Sequence, residues 1–295
     1  MEKPILLQKK KLIKPLEQAL ERIEKIRERK MNNDDSIILE GLFALAVASF
    51  EHSLGDTLRE LFNHIPDKLD IKTESITKTE LIDGTPLKQA IENKVNAISY
   101  KSLPEILTYF AKITDIPENL ISEDELNSLL EVKATRNLLI HNNLMINQIY
   151  KETAGVNIRN SNTGRLSITQ DYLFESLVTI RNILEKFKTA LLDKYSDFTK
   201  IKAVKNLFDY IFKTPVMDFY HEFDVNIQTD SISNIKTATS RRDDLSGGER
   251  FFFDIWIAHT HGTAFDFANR TFFALDKQNI KKMSYLVENI DLLKT

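Results

Sequence analysis

Apolar residues recur at three- and four-residue steps along much of this chain, the spacing of one face of an α-helix. Between residues 15 and 29, Leu16, Ala19, Leu20, Ile23 and Ile26 form one stripe, and Pro15 suits a first helical turn, where its missing N–H has no partner to lose. Leu39, Phe43, Ala46, Phe50, Leu54, Leu58 and Leu61 predict a longer helix over residues 35–64, stopped by Pro66. A polar stretch with Asp83-Gly84-Thr85-Pro86 reads as a turn, followed by two shorter helices over residues 87–97 and 103–113. Ser122 and Glu125 have the spacing of a capping box, which opens a helix through Leu126, Leu129, Leu130 and Leu139 to His141. Residues 142–165 are polar, contain Gly155 and Gly164, and read as a loop. Ser167 and Gln170 suggest a second capping box. Behind it Leu173, Leu177, Ile180, Leu184, Phe187 and Leu191 form a regular seam that ends near Tyr195.

From residue 197 the texture changes. Leu207, Tyr210, Ile211 and Phe212 predict a helix before Pro215, residues 226–244 are polar with few core positions, and further helices are expected over 249–259 and 278–293. Only 8 Gly and 7 Pro occur in 295 residues, which favours long helices over many short strands. The expected fold is all-α: an antiparallel helical bundle over residues 14–195 and a mainly helical C-terminal region over 196–295.

Composition narrows the function classes. A net charge of -3 argues against a basic coat for nucleic acid, although a local positive site suffices for an enzyme that meets RNA briefly. With 42% hydrophobic and 28% charged residues the chain reads as a globular protein. The absence of Cys excludes disulfides, thiol nucleophiles and Cys-ligated zinc, and fits the cytoplasm. Met1-Glu2-Lys3-Pro4 does not read as the start of a signal peptide, and no uninterrupted apolar run is long enough to span a membrane.

Arg136-Asn137-Leu138-Leu139-Ile140-His141 stands near the end of a predicted helix. Asn137 and His141 are four apart and share a face, with Arg136 in reach of the same anionic ligand. Imidazole gives and takes protons near neutral pH, and the guanidinium fork matches phosphate oxygens. Together they suffice for metal-free RNA cleavage, in which a 2′-hydroxyl loses its proton and attacks the adjacent phosphate while Arg stabilises the charge. By themselves an Arg and a helix-terminal His at this spacing are a weak signal and read more simply as a surface cation and a His favoured by the helix dipole.

Arg136-Asn137-Leu138-Leu139-Ile140-His141-Asn142 resembles the motif of the HEPN superfamily, an Arg, a polar residue that is often Asn, three variable residues and a His, on a late helix of a bundle. Phe50-Glu51 on the long upstream helix resembles a Phe-Glu pair of the RiboL-PSP-like branch. The resemblance covers roughly residues 14–195. It implies a metal-independent endoribonuclease without cofactor, acting as a homodimer in a toxin–antitoxin or antiviral system, with an antitoxin or other defence protein as a further partner. Arg136 and His141 would be catalytic, Asn137 would support His141, and Glu51 would orient Arg136. One imidazole per chain for two proton-transfer roles also fits a dimer that brings two His141 side chains together across the helix from Ser122 to His141. The rival reading is a non-catalytic HEPN module that binds RNA or acts as a scaffold in a defence complex.

Other candidates remain. Arg159 and Arg165, with Asn160, Asn162 and Gly164, form either a substrate-binding loop or a solvated one. Lys9-Lys10-Lys11 is either an RNA contact or a solvated run. Leu245-Ser246-Gly247-Gly248-Glu249 matches the signature of ABC-type ATPases, with Phe272-Phe273-Ala274-Leu275-Asp276 as a Walker B mimic. No P-loop exists, however, and Lys277 stands where an acid is required, so a helix capped by Ser246 and Glu249 is simpler. His221, His259 and His261 make a weak metal set, and helix termination explains the last two. Phe251, Phe252, Phe253 and Trp256 read as core or interface.

Overall fold

The computed structural model describes residues 4–29, 35–70, 86–159, 163–200, 202–203 and 206. It is all-α, with one isolated antiparallel bridge, Met145 to Arg165, as the extended pairing among the described residues. The chain divides into two compact units, residues 9–196 and residues 1–8 with 197–295. In the second unit Asn206 Nδ2 donates to the Ile5 carbonyl at 2.9 Å. The predicted helices beyond residue 206 lie outside the described residues.

The first unit holds α1 (Lys9–Arg27), α2 (Ser36–His64), α3 (Pro86–Ser99), α4 (Leu103–Thr114), α5 (Glu123–Asn142), α6 (Gln148–Ala154) and α7 (Gln170–Lys194). α2 is central and is touched by α1, α3, α4, α5 and α7. Its most apolar 18-residue window has a mean hydropathy of 1.5, so the helix is long and apolar enough to cross a membrane by those measures alone, although Glu40 and Glu51 interrupt its apolar run. The physical reason is its position: a helix covered on several sides must be apolar on several sides. Its buried Ser49, Ser53 and Thr57 return their hydroxyls to carbonyls of its own preceding turn at 2.7, 2.7 and 2.8 Å. Arg59 ties α2 to α3 by donating from Nε and Nη2 to Glu92, each at 2.9 Å at closest.

α1 starts at Lys9, not at Pro15, so Pro15 lies inside the helix. An interior Pro costs about 3 kcal/mol. Leu12 and Ile13 are 0% and 4% exposed, and burying each aliphatic side chain contributes roughly 1.5–3 kcal/mol, which offsets that cost. The helix therefore extends upstream and places Lys10 and Lys11 on its exposed side.

α5 begins as expected: Glu125 N–H donates to Ser122 Oγ at 3.3 Å and Ser122 N–H donates to Glu125 Oε2 at 2.8 Å. Lys186 of α7 also donates to Glu125 at 2.7 Å and holds its carboxyl below the usual range, with the Ser122 bond helping. The helix ends where Asn143 and Leu144 adopt φ of 48° and 62° and the Leu144 N–H turns back to the Leu138 carbonyl at 3.1 Å.

Residues 142–165, expected as a loop, contain α6. Asn147 caps it through the Tyr150 N–H at 2.9 Å, Tyr150 and Ala154 are buried four residues apart, and Gly155 ends it at φ 54° and ψ -120°. The excursion is pinned at its base, with Ile146 N–H donating to Gly164 O at 2.8 Å and Leu166 N–H to Leu144 O at 2.9 Å. The expected Ser167 cap is also corrected. Leu166 and Ile168 alternate as buried residues in an extended run, so α7 starts two residues later, with Thr169 Oγ1 accepting from Tyr172 N–H at 3.2 Å.

Candidate functional site

α5 advances about 100° per residue, so Lys133, Arg136, Asn137, Ile140 and His141 fall within roughly 140° of one face, with Glu131 and Thr135 on the opposite side. α2 meets the first of these faces. Phe50 is 1% exposed in the core, and the next residue, Glu51, reaches α5. Glu51 Oε1 lies 2.9 Å from Lys133 Nζ, and Oε2 lies 3.8 Å from Arg136 Nη2. These side chains are half-buried, where salt screens an ion pair less than on an open surface.

Arg136 Nη1 donates to Asn137 Oδ1 at 3.1 Å, which makes Asn137 a partner of the arginine. Arg136 Nε is buried and has no acceptor among the described residues. Leaving a donor in that state costs about 1–3 kcal/mol, and more for a charged group, so an oxyanion that accepted from it would bind with that much extra advantage. His141 follows five residues later, about 7.5 Å along the axis. It is exposed and forms no hydrogen bond or ion pair among the described residues, so its ring nitrogens remain open to a ligand.

The excursion after α5 returns one of its two arginines to this end of the helix. Arg165 Nη2 donates to Asn143 Oδ1 at 2.9 Å, two residues beyond His141. A cation there complements the negative end of the helix. Arg159 goes to the other side of α5. Its guanidinium carbon lies 3.5 Å from the Tyr172 ring centroid, its Nη2 donates to the Ser167 carbonyl at 2.6 Å, and its backbone N–H donates to Tyr150 Oη at 3.0 Å.

At the centre of that second cluster is Glu131, 5% exposed. Its Oε1 accepts from Thr135 Oγ1 at 2.6 Å and from Tyr150 Oη at 2.9 Å, and its Oε2 accepts from Tyr172 Oη at 2.8 Å. Burial, reinforced by the Glu131 charge, pushes the Tyr150 hydroxyl up to about 12 and the Tyr172 hydroxyl higher still. The network fastens α6 and α7 to the back of the helix that carries Arg136 and His141.

Sequence reasoning missed Lys133 and Glu131. Lys133 had a usable signal, because it stands three residues before Arg136 on the same face. Glu131 had none, since its tyrosine partners lie 19 and 41 residues away. Among the described residues no group of three or more His, Asp or Glu is placed to hold a metal ion. Asn160, Asn162, His221, His259, His261, the 245–249 stretch and the 251–256 and 272–277 segments lie outside the described residues. No protein-family model, curated protein or solved structure matches the chain.

Proposed function

We propose that residues 9–196 form a HEPN-type endoribonuclease domain that cleaves RNA without a metal ion, at a centre built on Arg136 and His141. The observation that carries this reading is an arginine with a buried, unsatisfied Nε, set beside Glu51 and one and a half turns before an exposed, unpartnered histidine. The imidazole of His141 accepts the proton of an RNA 2′-hydroxyl. The freed oxygen attacks the adjacent phosphorus, and the P–O bond to the 5′-oxygen of the next nucleotide breaks. Arg136 donates to the non-bridging oxygens as their charge grows. Protonation of the departing 5′-oxygen is a second acid–base task, which the His141 of a second copy performs in a homodimer. Asn137 steadies Arg136, and Arg165 adds positive charge where the substrate strand leaves the helix end.

A ribonuclease of this kind serves a toxin–antitoxin or antiviral system in the cytoplasm, restrained by an antitoxin or another defence protein. The test is RNA cleavage by the purified chain in the presence of EDTA, with the product ends identified. Fragments ending in a 2′,3′-cyclic phosphate, or its opened form, are expected. Strict dependence on added Mg²⁺ or Zn²⁺ would move the chemistry to a metal-bound water. Binding of RNA without cleavage would favour a non-catalytic HEPN module.

A further inference from the structure

Glu51 has two cations in reach and bonds closely to one of them. The contact to Lys133 is 2.9 Å, whereas Arg136 Nη2 stays 3.8 Å away, outside hydrogen-bond distance. Arg136 Nη1 is engaged by Asn137. The remaining donors, Nε and Nη2, form one edge of the guanidinium, and no side chain among the described residues accepts a hydrogen bond from Nε. That edge fits two oxygens of a phosphate, and it fits a carboxylate equally well. Glu51 is the carboxylate at hand. Released from Lys133, it has to advance only about 1 Å to reach the 2.7–2.9 Å of a charge-assisted pair with Nη2.

We infer that Lys133 is a positioning residue: its ion pair holds Glu51 off Arg136 and leaves the Nε–Nη2 edge unpaired, to be taken by a phosphate of the substrate backbone. The inference rests on reading Arg136 as a phosphate ligand. It explains why a lysine buried to 17% side-chain exposure stands one turn before the motif. It also gives Glu51 a defined hazard, since the carboxylate that lies 3.8 Å from Arg136 Nη2 would compete with substrate for it.

The experiment titrates inorganic phosphate into the full chain and follows the Arg136 Nε–H resonance, assigned by its loss in R136K. Lys133→Met is expected to weaken phosphate binding about tenfold or more, because the unpaired Glu51 turns to Arg136. Lys133→Arg keeps the ion pair and retains binding. In Glu51→Gln the competitor is gone, so adding Lys133→Met to it should change affinity by no more than about threefold. A K133M/E51Q double variant as weak as K133M would make Lys133 a phosphate ligand itself and overturn the inference. Unchanged affinity in K133M, or a wild-type Nε–H signal that ignores phosphate, overturns it too. If K133M fails to fold, the comparison of K133R with K133M/E51Q still decides. Binding by both supports the role, and loss in the double variant removes it. The expected phosphate pattern in a chain that leaves RNA intact would retire the ribonuclease reading and keep the role of Lys133. RNA cleavage without the pattern would do the reverse.

Discussion

Tyr172 reaches across from α7 to donate its hydroxyl to Glu131 Oε2 on α5 at 2.8 Å. The other carboxylate oxygen takes Tyr150 from α6 and Thr135 from the same helix, so three hydroxyls surround one buried acid. The face of α5 that carries Arg136 and His141 is thus held from behind by a network in which every donor is needed. A buried carboxylate that loses a partner pays a desolvation cost that the remaining bonds do not cover.

Removing the Tyr172 hydroxyl is expected to destabilise the fold by about 1.5–3 kcal/mol, the range for a hydrogen bond to a charged group. The variant is Tyr172→Phe, which keeps the ring under Arg159 and against Phe43, 5.5 Å away between centroids. Urea unfolding of wild type, Y172F, E131L and the double variant measures it. The double variant should lose clearly less than the sum of the singles, because Y172F has nothing left to orphan once the carboxylate is gone. Strict additivity would mean that the two groups do not act together.

The spacing of apolar positions was enough to place α2 and α7, because each presents a stripe of apolar side chains to packed neighbours, and Ser122 with Glu125 marked the start of α5, whose buried face mixes Leu129, Val132 and Leu138 with Glu131 and Thr135. The reading failed where a local signal was outvoted by burial. Pro15 reads as a start, yet Leu12 and Ile13 carried α1 past it. Gly and Asn made residues 142–165 look like a loop, yet Tyr150 and Ala154 bury four residues apart and fold α6. Arg136, Asn137 and His141 were legible because they are adjacent in sequence. The contacts of Glu51 with Lys133 and Arg136 depend on how α2 packs on α5, and the second cluster depends on residues brought together across up to 41 positions.

Alkaline pH should weaken the fold through the same tyrosines. In the folded chain the Tyr150 hydroxyl titrates at about 12, against 10.0 for the free side chain, and Tyr172 titrates higher. Between those pH values the unfolded chain has released a proton that the folded chain retains. The contribution is therefore fully present below about pH 10 and is lost as pH rises through the folded value. Denaturation midpoints measured from neutral pH upward should fall over this window, and the fall should be shallower in Tyr150→Phe. An identical slope in that variant would assign the decline to other groups.

Replacing Arg136 or His141 by Ala should lower RNA cleavage by roughly 10²–10⁴-fold each, the usual contribution of a positioned acid–base group or charge donor. Neither residue is among the buried positions of α5, and Arg136→Ala removes a donor that has no partner, so the helical signal and the unfolding midpoint should stay near those of wild type. Asn137→Ala should have a smaller effect, because it removes only the Nη1 bond that steadies Arg136. Near-wild-type cleavage by both R136A and H141A, measured under single-turnover conditions, would remove the centre from this site.

The last expectation concerns a second copy of the chain. Each copy supplies one His141, and attack and departure in the proposed reaction need two proton transfers. Between residues 140 and 156 four large apolar side chains stand exposed: Ile140 at 55%, Met145 at 45%, Ile149 at 73% and Val156 at 84%. Scattered apolar exposure is ordinary, but here it falls on the segment that begins inside the motif and folds back to its helix end. A two-fold axis at that segment would cover these side chains and bring two motifs to one phosphate. Ile140→Glu with Ile149→Glu should then yield a monomer by sedimentation, with cleavage lost although Arg136 and His141 are intact. A mixture of wild-type and H141A chains should form heterodimers that carry a single His141. If the two motifs share a cleft, such heterodimers should have far less than half of the wild-type activity, because one of the two proton transfers has lost its imidazole. A wild-type monomer that cleaves RNA at full specific activity on dilution would show that one motif suffices.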